Sequence, residues 1–177
     1  MTSIMSIHII IDGYNLIRQS NQLHEIDLQD IQLGREALID MLAAYKKIKA
    51  HRITVVFDGI GSPSLSRQRD RQKGITIVFS QNGESADTVI KQMARQEGEK
   101  ALVVSSDLDI IKSVETQGSA AISSADFENK LTLSIHAGAM KTDRDAFSGW
   151  KPTTKKKGPS RRRSKKQRKT SARIRKL

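Results

Sequence analysis

The sequence predicts an α/β domain built on an open parallel sheet of four to five strands, with helices on both faces and a disordered basic tail. Three observations carry this. Apolar, largely β-branched runs recur at 7–11, 52–57, 75–79 and 101–104, and such runs read as strands buried on both faces, the kind found in parallel sheets. Helical patterns lie between most of them. The charge is also divided sharply. Residues 151–177 hold 14 of the 31 Lys and Arg and no acid, which leaves 17 basic against 19 acidic groups in the first 150 residues, a net of −2.

Taken in order, I-H-I-I-I at 7–11 forms the first strand and stops at Asp12-Gly13. Residues 28–49 read as one helix. Leu38, Leu42, Tyr45 and Ile48 mark its apolar face, and Lys46, Lys47 and Lys49 sit in its last turn, where cations suit the helix dipole. R-I-T-V-V-F at 52–57 is the second strand, ended by Asp58-Gly59. Residues 61–74, with Pro63 and the cations Arg67, Arg69, Arg71 and Lys73, read as a loop, and I-T-I-V-F at 75–79 is the third strand. A helix covers 85–96, because Ala86, Val89, Ile90, Met93 and Ala94 repeat at helical spacing. A-L-V-V at 101–104 is the fourth strand and runs into Ser105-Ser106-Asp107. A helix at 107–117 ends at Gly118, a short edge strand follows at 120–122, and a last helix covers 125–136. Gly149-Trp150-Lys151-Pro152 marks the boundary between a domain at 1–150 and a tail at 151–177. The tail has too few apolar residues to offset its ordering entropy.

Composition excludes several classes. Without cysteine there is neither a disulfide frame nor a thiolate metal site. No apolar stretch approaches the ~18 residues of a membrane span, and the first residues lack the pattern of a secretory signal. A cytoplasmic protein with no membrane partner is expected.

The acids are placed more tellingly. Asp12, Asp58 and Asp107 end the first, second and fourth strands, while Glu84 and Asp87 open the helix after the third. In parallel sheets ligands bind at the carboxyl ends of the strands. Each acid alone has a turn or capping role to explain it. Together they would repel one another at one sheet edge unless a cation sat among them. Hard oxygen ligands without Cys suit Mg²⁺ or Mn²⁺, which activates water and neutralises charge on a phosphate.

The stretches I-D-G-Y-N-L-I at 11–17, V-V-F-D-G at 55–59, E-S-A-D-T-V-I at 84–90 and V-S-S-D-L-D-I at 104–110 resemble the motifs of NYN-domain proteins, and more narrowly the bacterial YacP-like branch with its PIN-like nuclease fold. The resemblance covers most of residues 7–135. It implies a metal-dependent endoribonuclease acting on single-stranded RNA, in some members on messenger associated with the ribosome. It carries the acidic site onto Asp12, Asp58, Asp87 and Asp107, with Asn15 as a supporting polar residue and Glu84 as a further candidate ligand. Asp109, two positions along a helix from Asp107, should point elsewhere.

RNA contacts are expected from Arg67, Arg69, Arg71 and Lys73, from Tyr14 stacking on a base, and from the tail, including Arg161, Arg162, Arg163, Lys165 and Lys166. His8, inside a strand, reads as a packed core residue. The alternative from another class is a catalytically weak RNA- or ribosome-binding module tethered by its tail.

Overall fold

The computed structural model describes residues 6–59, 65–142 and 164–177. Arg161, Arg162, Arg163 and the expected domain boundary at 149–152 lie outside the described residues, as do the side chains of Lys165 and Lys166. The elements run β1 (His8–Asp12), α1 (Gly13–Gln19), α2 (Asn21–Gln29), α3 (Ile31–Ile48), β2 (Arg52–Phe57), β3 (Gln68–Gln72), β4 (Ile75–Phe79), α4 (Ala86–Glu97), β5 (Ala101–Val104), α5 (Leu108–Thr116), β6 (Ala120–Ile122), α6 (Ser124–Thr142) and α7 (Lys165–Ile174), with one 3-10 turn at Gly98–Lys100. They form one six-stranded sheet in the order β3-β4-β2-β1-β5-β6. Every pairing is parallel except β3 against β4.

β1 occupies the centre, and all five of its residues are buried. Because side chains alternate across a strand, Ile9 and Ile11 enter one core layer and Ile10 the other. The first layer packs α1, α3 and α6 on the sheet through Leu16, Leu38, Leu42, Tyr45, Phe127 and Leu131. The second packs α4 and α5 through Val89, Ile90, Ala94, Ile110 and Val114. His8 is buried as expected, its ring bonded to Thr54 Oγ1 at 2.8 Å and Glu97 Oε1 at 3.0 Å. Among the described residues no helix is long and apolar enough to cross a membrane.

Three expectations need correction. The sheet has six strands, because 68–72 is a strand and not a loop. Its sequence Q-R-D-R-Q carries no apolar alternation, since an edge strand exposed along its whole length buries nothing. A two-residue turn makes it a hairpin with β4: Lys73 and Gly74 both have positive φ, 51° and 82°, as a type I′ turn requires. The helix expected at 28–49 is α3 and begins only at Ile31, and residues 13–29, given no element from the sequence, form α1 and α2. Asp30 accepts hydrogen bonds from the backbone N–H of Gln32 and Leu33 and starts α3, while Ser20 caps α2.

The third correction concerns the tail. Residues 164–177 fold onto the domain, with Ser164 and Gln167 forming a capping box at the start of α7. Leu177 is only 5% exposed and joins the first core layer, with Ile174 packed beside it. The Leu177 carbonyl accepts from the Tyr45 hydroxyl at 3.1 Å, and the Lys176 carbonyl from the His51 ring at 3.1 Å. Composition averaged over the basic segment hid two apolar residues spaced three apart.

Candidate active site

Asp12, the last residue of β1, supplies the N-cap of α1 and accepts from the Asn15 backbone N–H at 3.2 Å. Its other oxygen accepts from the hydroxyl of Ser105, a fully buried residue after β5, also at 3.2 Å. The same Ser105 oxygen accepts from the Asp107 N–H at 3.1 Å, so one hydroxyl ties two strand ends together. Asp58 follows β2 and accepts from the Ala86 N–H at 2.7 Å at the start of α4, and from Ser80 Oγ at 3.3 Å. Asp87 stands in the first turn of α4, and Asp107 caps α5 from an exposed position. All four carboxylates therefore emerge at the carboxyl edge of the parallel strands, where β1, β2 and β5 leave the sheet.

Their electrostatics match that placement. Burial raises Asp12 to about 6; the Asn15 N–H and Ser105 bonds offset part of this, while Asp87 and Asp58 push it further up. Asp87 is raised by its own burial and then by Asp107, with Lys91 working against them. Among the described residues no Lys or Arg forms an ion pair with any of the four. Among the described residues the cluster is thus offset only at a distance, by Lys91.

Gly59 is required beside Asp58. A Cβ there would overlap the Ser80 carbonyl oxygen, and the Gly59 N–H donates to Ser80 Oγ at 3.0 Å. Gly59→Ala is expected to cost about 2 kcal/mol, the scale of overpacking against backbone, and to displace Asp58. Thermal melts check this, and a wild-type midpoint would show that the strand end tolerates a side chain.

The remaining site expectations fare unevenly. Asn15 Oδ1 accepts from the Ser106 N–H at 2.8 Å and from Ser124 Oγ at 2.7 Å, so it braces the loop after β5 against α6. Glu84 is paired with Arg67, which holds its carboxyl below the usual range, and Arg67 also reaches Gln92. That pairing removes Glu84 as a ready ligand and Arg67 as a ready RNA contact. Lys73 pairs with Asp40, while Arg69 and Arg71 stand exposed on β3. Asp109 points away and pairs with Lys91, as its helical position predicts.

Tyr14 does not present its ring to a base. It is buried edge-on against Phe57, centroids 5.0 Å apart, and its hydroxyl accepts from Arg35. The Arg35 guanidinium lies 5.3–5.5 Å from the rings of Tyr14, Phe57 and Phe79, a cation–π box beside the ends of β1, β2 and β4. Sequence reading missed Arg35, Ser80 and Ser124. Only Ser80 gave a signal, as the polar residue directly ending a strand.

Residues 9–176 match the family profile described as the YacP-like NYN domain. The chain belongs to that family. A Bacillus subtilis (strain 168) protein named "Uncharacterized protein YacP" is 28% identical over 87 residues, 49% of this chain and 51% of its own length. This chain thus aligns with about half of that relative. Two crystal structures of Rae1 (YacP) from Bacillus subtilis share the fold. One, a point mutant, has a TM-score of 0.63 at 22% identity over 78% of this chain and 82% of its own. The other has a TM-score of 0.61 at 25% identity, over 77% and 79%. The matched span also includes α7, so the basic segment there is part of the domain.

The donor chemistry of this YacP-like domain suits Mg²⁺ or Mn²⁺: hard carboxylates, mutual repulsion and, among the described residues, no ion-paired Lys or Arg. Among the described residues no three acids lie within reach of a single ion. Mg²⁺ keeps several of its waters and needs only one or two direct carboxylates, so the fit is to a largely hydrated ion.

Proposed function

We propose that this YacP-like domain is a metal-dependent endoribonuclease hydrolysing single-stranded RNA, with ribosome-associated messenger as a candidate substrate. One observation supports the reading: four carboxylates, none ion-paired with a described Lys or Arg, lie on the carboxyl edge of the sheet, two of them with raised pKa. One or two of Asp12, Asp58, Asp87 and Asp107 would ligate a hydrated Mg²⁺ or Mn²⁺ directly, and the others would act through its waters. When bound, the ion supplies charge neutralisation at a scissile phosphate and a water of lowered pKa.

The chain's own residues set the stage for this. Ser105 and the Asn15 N–H fix the Asp12 carboxylate, Ser80 and the Ala86 N–H fix that of Asp58, and Asn15 fixes the loop that carries Asp107. Preorganised carboxylates need not reorganise when charge develops. The exposed cations Arg69 and Arg71 would attract the RNA backbone. A second reading, an RNA-binding module of little activity, is favoured by the absence of a three-acid cluster among the described residues.

Metal linkage tests the first reading against the second. A ligand that binds only the folded state stabilises by about 2.7 kcal/mol at a hundredfold excess over Kd. Mn²⁺ is therefore expected to raise the melting temperature of the wild type, and Asp107→Ala to shrink that shift. A melting temperature unmoved by millimolar Mn²⁺ or Mg²⁺ would favour the binding module.

A further inference from the structure

At the opposite, amino-terminal edge of the sheet lies a cavity of about 460 Å³. Lys46, His51, Arg52 and Arg71 line it together with Thr76, and no Asp or Glu is among its lining residues. Three cations stand around one polar opening, a setting suited to an anion, while the His51 ring beside them is bonded to the Lys176 carbonyl. Lys46 reaches it from the end of α3, donating to the His51 carbonyl at 2.8 Å, and its stem packs against Gly74, where a Cβ would crowd it at 3.2 Å. Arg52 is tied to Glu97 at 3.1 Å. Arg71 forms no ion pair with any described residue.

The edge strand links this cavity to the acids. Arg69 stands opposite Val78 and Arg71 opposite Thr76, so both lie on one face of the sheet, since residues two apart share a face. Arg67, two positions earlier, reaches Glu84 beside α4. Because β3 runs antiparallel to β4, the series Arg67, Arg69, Arg71 leads from the acidic edge back to the cavity. At ~3.3 Å per residue a strand of this length spans roughly 16 Å.

We propose that the cavity binds a phosphate group of the RNA backbone, and that Arg71 and Arg69 guide the strand from there toward the acidic edge. The proposal rests on the RNA reading above for its ligand, but not on cleavage. Nor does it need the chemistry of the carboxylates, because the two sites occupy opposite ends of the strands.

The test uses the full chain in EDTA, so that binding is read without cutting. Labelled single-stranded RNA is titrated at several salt concentrations against wild type, Arg71→Ala and Lys46→Met. The same proteins are melted with and without inorganic pyrophosphate. Each lost phosphate contact is expected to flatten the plot of log affinity against log salt by about 0.7, and each variant to lose the pyrophosphate-induced rise in melting temperature. Lys46→Met keeps the packing on Gly74, and Arg71 stands on an exposed edge, so both variants should fold. Unchanged salt slopes in both variants overturn the proposal. A pyrophosphate shift lost on substitution while RNA slopes stay unchanged also overturns it, in favour of a small phosphorylated ligand. Failure of cleavage in a separate assay with metal would strike the nuclease reading alone.

Discussion

Asp12→Asn is expected to lose at least about a hundredfold of metal-dependent cleavage while melting at a higher temperature than wild type. Substitutions outside the ligand shell of a metal site already cost about 10–100-fold, so loss of a central carboxylate should cost no less. The gain in stability follows from the same burial. Asp12 titrates near 6 in the folded chain and near 3.9 when unfolded. The folded state therefore holds this proton more tightly, and stability from this group falls as pH rises from about 4 to about 6, then stays level. A shift of about two units corresponds to about 3 kcal/mol at most. Asparagine removes the charge but keeps an oxygen for the Asn15 N–H, and Asn is itself a good N-cap. In EDTA at neutral pH the variant should gain about 2 kcal/mol, or roughly 4–8 °C for a chain of this size. Urea melts at a series of pH values check this: the difference between variant and wild type should grow between pH 4 and 6. A difference independent of pH would show that Asp12 is not held against its charge.

A chain ending at residue 163 is expected to melt well below the full chain. Burying a leucine contributes about 1.5–3 kcal/mol, and Leu177 is buried against the first core layer. The Tyr45 hydroxyl and the His51 ring would also lose their carbonyl partners, at about 1 kcal/mol each. A total of about 4 kcal/mol lowers the melting temperature by roughly 8–16 °C. Leu177→Ala should reproduce about half of this. Circular dichroism melts of the three proteins decide it, and equal midpoints would return the segment to the status of a detachable cationic arm. The same result bears on RNA binding, because weaker binding by the truncated chain would reflect a loosened fold as well as lost charge.

Much of the architecture was legible because burial leaves a plain trace in sequence. β1, β2, β4 and β5 are apolar runs with no solvent-facing side, and α4 shows its stripe in Ala86, Val89, Ile90, Met93 and Ala94. What escaped notice had little burial to report. β3 is exposed along its length, and its strongest cue was the Lys73-Gly74 turn. The C-terminal segment meets the core with Ile174, the last residue of α7, and with Leu177 beyond it, while α7 is otherwise mostly polar and cationic.

The site divides the same way. Asp12, Asp58 and Asp107 were readable as strand-end acids, because a run of buried residues must stop where the chain leaves the sheet. The pairing of Glu84 with Arg67, and of the Tyr14 hydroxyl with Arg35, joins residues 17 and 21 apart in sequence. No local pattern encodes such partners. Tyr14 looked like a stacking platform from its position beside Asp12, yet the ring packs inward on Phe57, because Gly13 leaves room for that aromatic ring.

The central claim is that the acidic edge cuts RNA with a divalent ion, and one assay tests it most directly. End-labelled single-stranded RNA and its DNA counterpart are incubated with the full chain in Mn²⁺, Mg²⁺ or EDTA, alongside Asp12→Asn and Asp58→Asn. The account predicts internal cleavage of RNA with metal, products bearing 5′-phosphate and 3′-hydroxyl ends, none in EDTA, and almost none from either variant. Cleavage that persists in EDTA, or near-wild-type rates from both folded variants, would contradict it.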